Sequence, residues 1–198
     1  MTKQPIYQAS SNKASLRQCE LLTGVLQFNP ITKELSKDWQ EEGISVTSII
    51  HPYSIVVTQN CDLDWDYKVR QSDEPTTKLL NSVVLCEVSL AQDVRNISNK
   101  LGMNSTTWGN IKTHKHERYY FFESIPSECE LDKVGIPELT ADFKRVFAVD
   151  ASTLYRQIEI GVIKRRAILT SPYLEHFSMR YHNFHSRVAL PYDYQSNP

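Results

Sequence analysis

The sequence predicts an α+β domain, and three observations carry that prediction. Short β-prone runs recur between Glu20 and Val88. Segments with helix caps and apolar residues at three- and four-residue spacing follow Ser89 and Asp150. The chain then runs into a long amphipathic stripe beyond Pro172. Strands this short suit a small, partly open β-barrel with inserted and C-terminal helices. With 198 residues the chain is long enough to bury a core of its own.

Residues 1–17 are rich in Ser, Gln, Asn and Lys and read as a flexible lead-in; a single α+β domain is expected over 18–198. Glu20 to Phe28, containing Gly24, is a first strand closed by Asn29-Pro30, and residues 31–43 form a polar loop. Ile44 to Ile50 and Tyr53 to Thr58 read as two strands divided by His51-Pro52. Residues 67–78 are a polar excursion, and Leu80 to Val88 returns to strand. Ser89 with Gln92 makes a capping box; Leu90, Val94, Ile97 and Leu101 follow at helical spacing and Gly102 supplies the stop. Arg118 to Phe122 and Phe143 to Val149 are strands. Asp150 caps a short helix carrying Leu154 and Ile158, and Ile163 to Leu169 is a strand, the last of a barrel-like core over about 18–170. Ser171 as cap and Pro172 at the first helical position open a C-terminal helix over about 172–189, with Leu174, Phe177, Tyr181, Phe184 and Val188 on its buried face.

Composition narrows the function classes. Apolar residues make up 40 % and charged residues 23 %, and the formal net charge is −1. A global basic field for nucleic acid is therefore absent, as is the acidity of a disordered chain. No apolar run reaches the ~20 residues that span a bilayer, and the polar first residues lack a signal-peptide core, so a cytoplasmic protein without a membrane partner is expected. The four cysteines form no CxxC pair and predict no disulfide framework. Glycine-rich phosphate loops, GxSxG and HExxH are missing as well.

The most informative stretch is Ser54-Ile55-Val56-Val57-Thr58-Gln59-Asn60-Cys61-Asp62-Leu63-Asp64-Trp65-Asp66, where a β-branched run ends in amides, a thiol and three alternating carboxylates. Strand ends hold polar groups rigidly at a surface, which makes Cys61 and Asp62 candidate catalytic residues. A nucleophilic thiolate needs a base or a positive field, and Asp62 and Asp64 oppose one unless Arg118 or a histidine folds over them. The competing structural reading packs Cys61 under the strand end and has Asp62 accept backbone N–H bonds in a turn. Cys61, Asp62, Asp64, His114 and His116 have metal-ligand chemistry, but their spacing matches no zinc pattern and Lys112 and Arg118 repel cations, so neither a metal nor a cofactor is expected. Lys112, Lys115 and Arg118 beside Tyr120, with Arg165 in a second basic cluster, are candidate nucleic-acid contacts. His176, Arg180, His182, His185 and Arg187 read as the solvated face of the last helix.

Thr58, Gln59, Cys61 and Asp62, then Arg118-Tyr119-Tyr120, then Arg165 to Tyr173 together resemble an uncharacterised bacterial family found in mobile-element and defence-like gene neighbourhoods. That resemblance covers about 20–190 and implies an accessory subunit of a bacterial defence or mobile-element module, binding a protein partner from the same operon. A looser resemblance, carried by the Gly24 strand and the Val/Ile strand ending in Thr58, is to the SH3-like barrel of PemK and MazF toxins, which bind and cut RNA. It implies the alternative of an enzyme acting on nucleic acid or nucleotide, with Asp62 or Asp64 as base or metal ligand and Arg118 stabilising phosphate charge. The usual Gly-Asp-Ile opening and Arg-Pro of those toxins are replaced here by Gly24-Val25-Leu26 and His51-Pro52-Tyr53.

Overall fold

A computed structural model describes residues 5–31, 43, 45–72, 77–96 and 103–187, and the backbone of 97–100. Its strands are β1 (Tyr7–Ala9), β2 (Glu20–Pro30), β3 (Val46–Val56), β4 (Ser82–Leu90), β5 (Tyr119–Phe122), β6 (Leu139–Asp150) and β7 (Lys164–Leu169). Its helices are α1 (Asn60–Arg70), α2 (Ala91–Lys100), α3 (Ser105–Lys112), α4 (Ala151–Glu159) and α5 (Tyr173–His185). The strands form one antiparallel sheet in the order β1-β7-β2-β3-β4-β6-β5. The α+β class is as expected. The edge strands β1 and β5 do not pair with each other, so the sheet does not close into a barrel. Among the described residues no helix is long and apolar enough to cross a membrane.

Side chains alternate across a strand, and here both faces are covered, so the central strands are apolar on both sides. Leu21, Ile55, Cys86 and Phe143 face a cluster completed by Phe177 and Phe184 of α5. Leu22, Val56, Leu85 and Val149 face the other, completed by Leu63 of α1 and Leu154 of α4. Trp108 and Ile111 of α3 pack on Phe121 beyond the edge of the main core.

Several elements differ from the sequence expectation, each for a local reason. Residues 5–17 are tied down: β1 pairs with β7, and Tyr7 and Leu16 are buried. His51-Pro52 does not divide two strands but lies inside β3. Thr23 pairs with Tyr53 and Val25 with His51, which sets Pro52 opposite Gly24; β4 pairs only from Tyr53 onward, so little is asked of the missing N–H. Ser89 caps no helix, because β4 continues to Leu90 and Ser89 pairs with Thr140. α1 replaces the expected turn and the start of the 67–78 polar excursion, of which 73–76 lie outside the described residues. α3 is a helix beyond those expected, opened by the Asn104 side chain, which accepts from Thr107 N at 2.9 Å. α5 begins at Tyr173 with no side-chain cap, so Ser171 does not serve as one. Most of the expected 31–43 loop, Leu101, Gly102, Val188 and the side chain of Ile97 lie outside the described residues.

The distal half of the β2–β3 hairpin extends past its neighbours. β7 pairs with β2 only at Glu20–Thr23 and β4 with β3 only at Tyr53–Val56, while β2 and β3 stay paired out to Pro30 and Val46. The register puts Leu26, Phe28, Val46 and Ile50 on one face of this ribbon.

Candidate functional site

β3 delivers the Thr58-to-Asp66 motif to one end of the sheet, beside the start of β4. Val57 N donates to Val84 O at 3.0 Å, and the Thr58 hydroxyl accepts from Val84 N at 2.8 Å, so a side chain extends the ladder by one step. Gln59 remains extended, and α1 starts at Asn60, whose side chain accepts from Gln18 N at 2.8 Å. Cys61 and Asp62 are therefore exposed on the first turn of a helix; the thiol is not packed beneath the strand. The Cys61 Sγ lies 3.4 Å from Asp62 Oδ1 and 3.7 Å from Gln59 Oε1, and no histidine or cation contacts it among the described residues. Thr58, Gln59 and Asp62 look across an open cleft of about 400 Å³ at Tyr181 and His182 of α5.

The other two carboxylates are engaged elsewhere. Asp64 accepts a short hydrogen bond from the Ser15 hydroxyl and lies 3.7 Å from the Arg17 guanidinium. Asp66 is fully buried, accepting from Arg70 Nε and from Leu80 N, each at 2.8 Å. It ties α1 to the start of β4.

Arg118 is not folded over the motif. Its guanidinium donates twice to Asp142, at 2.7 and 2.5 Å, and lies over the Tyr119 ring. No hydrogen bond or ion pair links it to Cys61 or Asp62 among the described residues. Of the other candidate nucleic-acid residues, Tyr120 is buried with its hydroxyl 3.1 Å from His176 Nδ1, and Arg165 is buried on Glu20. Lys112 and Lys115 are exposed. His114 and His116 sit beside Tyr120 and Tyr119, and no group of three metal-ligating side chains assembles among the described residues.

What the fold does assemble is a cationic cleft of about 260 Å³ between the α3–β5 connection and α5. Lys115 and Glu117 line one wall; Arg180, Asn183 and Arg187 line the other, with Phe184 between them. Arg180 Nη2 donates to His116 O at 2.5 Å, while its buried Nε has no partner. Burial lowers the Arg180 pKa from the ordinary arginine value. Burial, with His176 and Arg180 adding repulsion, takes His114 down to about 4, so its imidazole is neutral at physiological pH. Burial followed by Arg180 lowers His176 in the same direction. In the sequence, His176, Arg180, Asn183 and Arg187 follow at steps of four, three and four, a single helical stripe beside the buried Phe177 and Phe184. That stripe was the available signal for the cleft, but charge alone marks it as a solvated face.

A second polar group lies at the base of the ribbon. His51 is buried and stacked on Phe147 at 3.7 Å, with Nε2 3.1 Å from Gln27 Oε1 and Nδ1 3.7 Å from Glu87. Glu87 also holds Arg145 at 2.7 Å. Burial and then Arg145 lower the His51 pKa, and burial raises that of Glu87. Both shifts weaken this ion pair, so His51 serves mainly as a stacked, neutral ring.

No family model, curated protein or solved structure matches this chain.

Proposed function

We propose that this chain is a partner-binding module rather than a catalyst, and that the outer β2–β3 ribbon is the docking element. The observation that carries the reading is the ribbon's exposed apolar face: Phe28, Val46 and Ile50 are 53, 62 and 64 % exposed and share one face by register. Exposed apolar side chains grouped in this way mark interaction surfaces. Leu26, Phe28, Pro30, Val46, Ser48 and Ile50 supply this face, and none is ionisable. A phosphate backbone gains nothing from such a surface, whereas an apolar segment of a protein partner does. The likeness to defence- and mobile-element-associated proteins supports an accessory role beside a partner encoded in the same operon.

The enzymatic alternative is less well supported. Its proposed phosphate-stabilising arginine, Arg118, is neutralised by Asp142, and Asp64 is held by Ser15 and Arg17. The likeness to SH3-like toxins supplies no further catalytic group.

Co-expression with the neighbouring gene product, followed by native mass spectrometry, tests the reading. A stoichiometric complex weakened at least about tenfold by Ile50→Lys or Phe28→Glu, with unchanged circular dichroism, is expected. A complex indifferent to both changes would move docking to another surface, and turnover of nucleic acid abolished by Asp62→Ala would restore the enzyme.

A further inference from the structure

We propose that the cleft between α5 and the α3–β5 connection binds a phosphate monoester, with Arg180 as its central ligand. The argument rests on a contrast within the molecule. Arg70, Arg118, Arg165 and Arg166 are wholly or partly buried, and each has a carboxylate in direct hydrogen bond: Asp66, Asp142, Glu20 and Glu130. Arg180 is also partly buried, yet it has no carboxylate within ion-pair distance among the described residues, and its Nε is buried without a partner. A guanidinium partly withdrawn from water with no carboxylate bonded to it is costly, and an anionic ligand that bonds it directly removes that cost.

The surroundings indicate which anion. Lys115 and Arg187 line the same cleft, and among the described residues Glu117 is its only carboxylate, paired with Arg187 at 2.9 Å. Three cations against one carboxylate leave two positive charges, which match a phosphate monoester near neutral pH better than a monoanionic carboxylate. Arg180 and Lys115 supply charge-assisted donors from opposite walls, and the Asn183 amide adds a neutral donor. A volume of about 260 Å³ is below the range typical of drug-sized ligands and suits one anionic head group. The site lies on α5 and is separate from the β2–β3 ribbon.

Isothermal titration of the full chain tests the site, using inorganic phosphate, adenosine 5′-monophosphate and, as control, adenosine. Saturable phosphate binding is expected, weakening as salt rises and at least about tenfold weaker in Arg180→Gln. Lys115 is exposed and free of ion pairs among the described residues, so Lys115→Met leaves the fold intact and is expected to weaken binding about three- to fivefold. Ile50→Lys should leave phosphate affinity unchanged. Tighter binding of the nucleotide than of phosphate would support a nucleotide as the monoester, equal affinities would support a site that reads the phosphoryl group alone, and binding of phosphate without the nucleotide would overturn the monoester. No saturation by ~10 mM phosphate, or equal affinity in wild type and both cleft variants, would overturn the proposal.

Discussion

Arg165 forks onto Glu20 inside the sheet, Nε to Oε1 at 2.6 Å and Nη2 to Oε2 at 2.8 Å. The same guanidinium donates to Ala14 O and Ser15 O, so one side chain joins β7, β2 and the segment before β2. Both partners are buried, at 4 and 0 % exposure. Removing the cation strands a buried carboxylate. Arg165→Leu is therefore expected to destabilise the fold by about 3–5 kcal/mol, and adding Glu20→Leu to recover much of that loss. Urea denaturation of the two variants measures both numbers; a single-variant loss below about 1 kcal/mol would mean the pair contributes little.

Glu130 should govern acid stability. Burial alone would raise its pKa, but the Arg166 hydrogen bond and the N–H groups of Asp132 and Val134 outweigh burial and bring it down to about 2 from 4.5. A carboxylate depressed in the folded state contributes stability that is complete above its unfolded pKa and is lost as pH falls toward the folded one. The contribution is about 3 kcal/mol, lost between roughly pH 4.5 and pH 2. Denaturant titrations across this window should show the decline, and Glu130→Gln should start less stable and decline less.

Histidine 114 acts in a higher window with the same sign. Its ring lies 4.3 Å from that of Tyr120, and its folded pKa of about 4 lies below the usual 6.5. The unfolded chain takes up the proton first, so acidification from pH 6.5 toward pH 4 favours unfolding. His51, His116 and His176 are lowered as well and add to the same limb. His114→Phe keeps a ring against Tyr120 and should flatten part of that limb in thermal melts at stepped pH. An unchanged slope would assign the limb to the other three.

Thiol accessibility separates Cys61 from the two buried cysteines. Cys61 is exposed, whereas Cys19 and Cys86 are buried at 1 and 0 % exposure. Burial pushes the Cys19 thiol up to about 12 and also raises that of Cys86. Alkylation of the native protein followed by peptide mass spectrometry should label Cys61 first, with Cys19 and Cys86 at least about a hundredfold slower because they react through opening. Comparable rates at Cys61 and Cys86 would contradict the burial of β4.

Legibility in the sequence followed how closely polarity tracked burial. α4 and the core stripe of α5 were readable because their apolar periodicity and flanking signals agree with where their side chains lie. α1 was not, since it buries Asp66 at 0 % and leaves Trp65 49 % exposed, inverting the pattern that marks a helix face. Ser89 and Gln92 spell a capping box, yet sheet pairing with Thr140 claims Ser89. The strand-end motif was visible as composition, but its carboxylates have separate partners that spacing cannot reveal. Lys115 stood out in the sequence. Arg180, 64 residues from the His116 carbonyl it bonds, became part of the same surface only through the tertiary fold.

Gly24 allows β2 to turn past α4, and two glycine variants separate the reasons. Its φ is +77°, and a Cβ there would lie 2.8 Å from the Val162 carbonyl oxygen. Gly161 has nearly the same φ, +76°, with no atom within 4 Å of an added Cβ. Gly161→Ala thus reports the left-handed backbone cost alone, expected at about 1 kcal/mol. Gly24→Ala adds a contact with main chain that cannot rotate away, so its loss should be about 1–2 kcal/mol larger. Parity between the two in denaturant melts would show that the β2 backbone shifts freely away from Val162. In that case the side-chain switch after Gly24, which sends Leu22 and Val25 to the same core, would rest on the glycine dihedral alone.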